Sequence, residues 1–133
     1  MLYVDTSASV KLLLVEEESD ALEEFLRSAD VPLLTSRVGV VELRRVGRRG
    51  GASADRADAV AATFTTIELD AAAEGLAVGL DSGLRTLDAV HLASALAMGD
   101  ELGGFVCYDA RLTEAATRIG LPVVAPAAQP SRS

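Results

Sequence analysis

Short apolar runs alternate along this chain with longer stretches of helical spacing, and that alternation leaves few folds open. It is the signature of a parallel sheet covered by helices. Five runs read as strands: Leu2 to Val4, Leu33 to Thr35, Thr65 to Leu69, Phe105 to Tyr108 and Val123 to Val124. Each is brief, apolar and bounded by polar or turn residues. Between and around them, Ser7 to Val15, Ser19 to Ser28, Ser36 to Arg49, Ala54 to Ala62, Ala71 to Leu80, Thr86 to Met98 and Ala110 to Ile119 carry helical spacing. Gly50-Gly51, Gly103-Gly104 and Gly120 ahead of Pro122 are expected to end helices, and Thr86 is expected to cap one. The pattern predicts one α/β domain over residues 1–125, built on a short, mostly parallel five-stranded sheet. Residues 126–133, with Pro126, Pro130 and little apolar content, are expected to lie outside it.

A chain of 133 residues buries roughly 68% of its unfolded surface on folding, so no disulfide or structural metal is needed to hold the core. Cys107 is the single cysteine, which excludes an intramolecular disulfide and points to a reducing, cytoplasmic setting. The opening LYVDTSASV lacks a basic leader, and no apolar run reaches the ~18 residues of a membrane span, so a soluble protein is expected.

The formal net charge of −8 argues against binding nucleic acid by bulk attraction. Its distribution is uneven. Arg37, Arg44, Arg45, Arg48, Arg49 and Arg56 crowd one stretch, and Glu16, Glu17, Glu18, Asp20, Glu23 and Glu24 crowd another. Each run reads either as a solvated helix face or as a contact surface. For Arg44, Arg45, Arg48 and Arg49 the contact would be to nucleic-acid phosphates or to a protein partner.

Four acids stand out by position. Asp5 follows the first strand where the chain turns into a helix, and Asp109 repeats that arrangement after Phe105 to Tyr108. Ligand sites in open parallel sheets form beyond the carboxyl ends of the strands. Either acid reads equally as a helix N-cap. Glu42 lies inside a helix between Val38 and Val46, where a charge interrupts an apolar stripe and calls for a partner, either a bound cation or an ion pair with Arg45 or Arg49. Asp88 sits in the first turn of a helix, where an acid also complements the dipole. Taken together, two acids at strand ends and two on neighbouring helices are expected to converge on one site.

The segments LYVDTSASVKLLL, SRVGVVELRR, LRTLDAVHLASAL and FVCYDARLTEAA resemble, in order, the four acidic motifs of PIN domains. The run from Leu84 to Ala93 is especially similar to VapC-type toxins within that family. The resemblance spans nearly the whole chain. It implies metal-binding, catalytic acids at Asp5, Glu42, Asp88 and Asp109, and a doubly wound three-layer α/β/α sandwich. It further implies an endoribonuclease toxin that forms a homodimer and pairs with a small antitoxin. The chain departs from the family where a Thr or Ser commonly lies two positions before the fourth acid, since Cys107 stands there.

Four carboxylates are hard oxygen ligands that select magnesium or manganese. At a separation of ~5 Å and an effective dielectric of ~20, each like-charged pair repels by roughly 3 kcal/mol, which a cation relieves. His91 is the lone histidine, so no histidine pair exists for metal-free cleavage, and one His with one Cys falls short of a zinc site. Three residues after Asp88, His91 reads as a half-buried packing or hydrogen-bonding residue rather than a ligand. Thr6 and Ser7 either support the site beside Asp5 or serve the helix start. A phosphatase of the haloacid-dehalogenase type expects a second Asp two positions after the first, where this chain has Ser7. A non-catalytic RNA- or protein-binding module of the same fold is the alternative, separated by a cleavage assay with and without metal.

Overall fold

A computed structural model of the chain describes residues 1–81 and 83–127. Five strands, β1 (Leu2–Val4), β2 (Leu33–Ser36), β3 (Thr65–Ile67), β4 (Gly104–Val106) and β5 (Val123–Val124), form one sheet in the order β3-β2-β1-β4-β5. Every neighbouring pair is parallel. The helices are α1 (Thr6–Leu13), α2 (Ser19–Ala29), α3 (Arg37–Arg49), α4 (Ala54–Ala61), α5 (Ala71–Gly79), α6 (Thr86–Ala97) and α7 (Ala110–Arg118).

Alternation within the strands builds two cores, one on each face of the sheet. Leu2, Val4 and Val106 point to one side, where they pack with Ala8, Leu22 and Leu26 of α1 and α2. Tyr3, Phe105 and Cys107 point to the other, against Leu92 and Ala95 of α6 and Leu112 and Ala116 of α7. A third cluster, Leu13, Leu43 and Ala57, joins α1, α3 and α4. The result is the expected three-layer α/β/α sandwich. At roughly 25 cal/mol per Å² of apolar surface, each fully buried Leu of these clusters contributes about 2 kcal/mol.

Three local expectations are corrected. Gly103-Gly104 does not end α6. That helix runs into a 3-10 turn, Gly99–Glu101, which begins at Gly99 with φ +58°, a left-handed conformation open to glycine. Gly104 instead lies in β4, where an added Cβ would sit 2.8 Å from a Leu2 methyl. Thr86 is the first residue of α6 rather than its cap; Arg85 occupies the cap position and makes no side-chain capping bond. Strand β3 stops at Ile67, because only Thr65 to Ile67 find partners on β2. The Pro126 carbonyl accepts a hydrogen bond from the Tyr108 hydroxyl. Residues 128–133 of the expected tail lie outside the described residues.

Strand order reverses between β1 and β4: the chain steps from β1 through β2 to β3 in one direction, then returns to place β4 on the opposite side of β1. Asp5 and Asp109 follow those two strands, and therefore flank the crevice where open α/β sheets hold their ligands.

Candidate active site

Asp5 is both a cap and a site residue. Its Oδ1 accepts from the Ala8 backbone N–H at 3.2 Å and from the Ser7 hydroxyl at 2.7 Å, which starts α1. The Cys107 thiol donates to Oδ2 at 3.4 Å. Sulfur thus stands two positions before Asp109 and points its proton at Asp5. Asp5 is only 2% exposed, and burial pushes its carboxyl above the ordinary aspartate range against the pull of these donors. Burial, and then the Asp5 charge, push the Cys107 thiol up to about 12.

Ser7 ties the two strand ends together. Besides donating to Asp5, its Oγ accepts from the backbone N–H groups of Tyr108 at 2.9 Å and Asp109 at 3.3 Å. Asp109 in turn caps α7 by accepting from Leu112 N–H at 2.8 Å, and its side chain remains exposed.

Glu42 finds its partner across the molecule. Neither Arg45 nor Arg49 pairs with it; the Nε2 of His91, 49 residues away on α6, lies 2.7 Å from Oε1. The Thr6 hydroxyl donates to the same oxygen at 2.8 Å. Burial alone would raise this carboxyl, but the bonds from His91 and Thr6 outweigh it and hold Glu42 below the ordinary glutamate range. His91 is fully buried rather than half-buried, and its Nδ1 meets the Tyr3 hydroxyl at 2.7 Å. A carboxylate only accepts, so Nε2 carries the proton toward Glu42, and in the neutral ring Nδ1 accepts from Tyr3. Burial pushes the Tyr3 phenol up to about 12, so it keeps that proton. A chain of hydrogen bonds therefore runs from β1 through α6 to α3.

Asp88, half-buried on the first turn of α6, lines a cleft of about 340 Å³ together with Asp109. Burial, and then the charge of Asp109, raise its carboxyl above the ordinary range; Glu42 pushes the same way, while His91 and Arg85 oppose it. Asp88 thus shares a cleft with Asp109, whose backbone is tied through Ser7 to Asp5, while Glu42 is bonded to Thr6, the residue after Asp5. Among the described residues, no three His, Cys, Asp or Glu side chains stand close enough together to form a ready-made metal cluster. The donors suit a hard cation nonetheless. Glu42 Oε2, both Asp88 oxygens and Asp109 Oδ2 have no hydrogen-bond donor among the described residues, and Asp5 Oδ2 has only the weak thiol.

This architecture is shared. The family model for the PIN domain matches residues 2–117, a stretch containing all four acids. The chain belongs to the PIN-domain family. Ribonuclease VapC46 of Mycobacterium tuberculosis is 41% identical over 127 residues, covering 94% of this chain and 97% of that protein. Ribonuclease VapC35 of the same species is 40% identical over 131 residues, covering 95% and 97%. A crystal structure of M. tuberculosis VapC20, a sarcin-ricin loop cleaving toxin, superposes with a TM-score of 0.74 over 95% of this chain and 100% of that one, at 20% identity.

In this PIN domain the arginine run of α3 divides. Arg44 is paired with Asp58 of α4, and with Arg48 it lines a groove against that helix. Arg45 and Arg49 line a different groove, shared with Glu42 and Leu87. Sequence reading missed the pairing of His91 with Glu42, the role of Tyr3, and Arg85 and Arg111 beside Asp88. The three-residue offset from Asp88 to His91 was the available signal, since it sets both on one side of α6.

Proposed function

We propose that this PIN domain, residues 1–125, is an endoribonuclease that hydrolyses RNA phosphodiester bonds with magnesium or manganese held by Asp5, Glu42, Asp88 and Asp109. The observation that supports this reading is that Asp5 and Asp109 follow the two strands at the reversal between β1 and β4, with Asp88 in a cleft beside Asp109 and Glu42 bonded to Thr6, the residue after Asp5. Relatives about 40% identical over nearly their full length carry the name ribonuclease, which supports the substrate class. A bound divalent cation supplies an activated water and neutralises charge on the phosphodiester. The chain's own residues prepare the acids. Thr6 and His91 orient Glu42 and favour its ionised form, Ser7 and the Ala8 amide fix Asp5, and Ser7 draws the start of α7 toward it.

Among the described residues no helix is long and apolar enough to cross a membrane. A cytoplasmic toxin role, with a small antitoxin as partner and a homodimeric state, completes the proposal. The test is cleavage of total cellular RNA by the purified chain with magnesium, with manganese and with excess chelator, alongside melting temperatures. Cleavage and a raised melting temperature with either metal, both lost in chelator, are the expected outcome. Full activity in chelator overturns the metal assignment. RNA binding without cleavage under any metal would favour the non-catalytic module.

A further inference from the structure

The cleft beside Asp88 and Asp109 is lined also by Arg85, Arg111 and Arg118. Arg118 is committed to Glu114 at 2.6 Å. Arg85 and Arg111 are exposed and have no ion-pair partner among the described residues. Two guanidinium groups without an ion-pair partner therefore share a cleft with two of the proposed catalytic acids and with Asp81 and Glu114. No capping bond or ion pair fixes Arg85 at its position, although its charge favours the ionised form of Asp88. Arg85 precedes the first turn of α6, where the helix dipole disfavours a cation.

We infer that Arg85 and Arg111 hold the RNA backbone on the α7 side of the acidic edge. This deepens the ribonuclease reading and rests on it. A phosphodiester brought to four carboxylates meets repulsion, and a planar guanidinium fork, matched to phosphate oxygens, offsets it at the point of contact. A separate groove carries further cations, because Arg45 and Arg49 line it beside Glu42 and pair with no acid among the described residues. Arginines thus accompany the acids in two grooves, one with Asp88 and Asp109 and one with Glu42. Several cations beside the acids suit a polymer with one anion per nucleotide better than an isolated acidic side chain of a protein. The placement of Arg85 and Arg111 also moves half of the RNA contact away from the α3 run, where Arg44 is already occupied by Asp58.

The experiment measures affinity for a fluorescein-labelled single-stranded RNA of random sequence across a series of salt concentrations. It uses the full chain carrying Asp5→Asn to hold cleavage off, with Arg85→Gln and Arg111→Gln added singly and together. Each arginine lost should weaken binding and flatten the dependence of log affinity on log salt by roughly 0.7, the counterion release per phosphate on single strands. Arg85→Lys should restore the slope without the full affinity, because charge returns but the fork does not. Arg27→Gln, removing an exposed α2 residue paired with Glu24, should change neither. Unchanged affinity and slope in the double variant overturn the inference. Retained RNA binding with loss of a co-purifying small protein assigns the arginines to a protein contact, and overturns it equally. Failure of the wild-type chain either to bind or to cleave RNA removes the ribonuclease reading beneath it, a result distinguishable from a failure confined to the arginine variants.

Discussion

His91 and Glu42 meet at 2.7 Å, and through that contact α6 and α3 are joined beside Thr6, the residue that follows Asp5. Tyr3 anchors the far side of the imidazole, so the position of Glu42 is set from the floor of the fold rather than from its own helix.

Replacing His91 by Leu should therefore cost stability and activity together. It leaves Glu42 half-buried with only Thr6, and takes from the buried Tyr3 hydroxyl its His91 partner, leaving Thr35 and Ser36 beside it. Unsatisfied buried groups of this kind cost about 1–3 kcal/mol each, so denaturant unfolding should register about 3 kcal/mol of destabilisation. His91→Gln, which retains a donor, should lose less stability and recover part of the cleavage rate. Equal losses in the two variants would show that volume, not the hydrogen bond, matters.

Gly39 tests the same contact indirectly. A Cβ at this position would lie 2.7 Å from Thr35 Oγ1 and 3.1 Å from His91 Cε1. Gly39→Ala must push the imidazole or the threonine aside, at about 1–3 kcal/mol of overpacking. A fall in RNA cleavage larger than that of a comparably destabilised variant elsewhere is expected. Cleavage unchanged from wild type would show that the ring can shift without moving Glu42.

Asp5→Asn separates charge from shape. Asn caps helices about as well as Asp, so α1 should survive. Because burial raises the Asp5 carboxyl above its ordinary 3.8, the folded state holds that proton more tightly than the unfolded chain. Its stabilising effect is complete below pH ~3.8 and is lost as pH rises through the folded value. In chelator, the variant should thus gain on wild type as pH rises from about 4 toward neutrality, while cleavage with metal is abolished. Thermal melts across that range check it; parallel curves would place the Asp5 charge outside the balance.

Cys107 is fully buried with its thiol pushed up to about 12, so almost none is thiolate near neutrality. The native chain should resist iodoacetamide at pH 8 and react only when denatured, as mass spectrometry would show. Cys107→Ser should keep the donor to Asp5 with a stronger bond and remain active, whereas Cys107→Val should leave Asp5 Oδ2 without it.

What the sequence determined by itself is what acts over a few residues. Apolar alternation marked the strands, 3.6-residue spacing marked the helices, and Asp5 and Asp109 were legible as residues at strand ends because a capping carboxylate bonds an amide three positions on. Sequence spacing could nominate Glu42 and Asp88 but could not say what each would face. That was decided by packing: β1 lies between β2 and β4, which brings Tyr3 within reach of α6 and sets α6 against α3, so His91 finds partners 88 and 49 residues away. The arginine run shows the same division. Read along the chain it is one basic cluster, yet each residue of a helix turns about 100° from the last, so Arg44 and Arg48 face α4 while Arg45 and Arg49 face Glu42. Local hydrogen bonds and periodicity are written into adjacent residues, whereas the partner of a charge depends on which helices cross the sheet beside it, and that is settled only when the whole core closes.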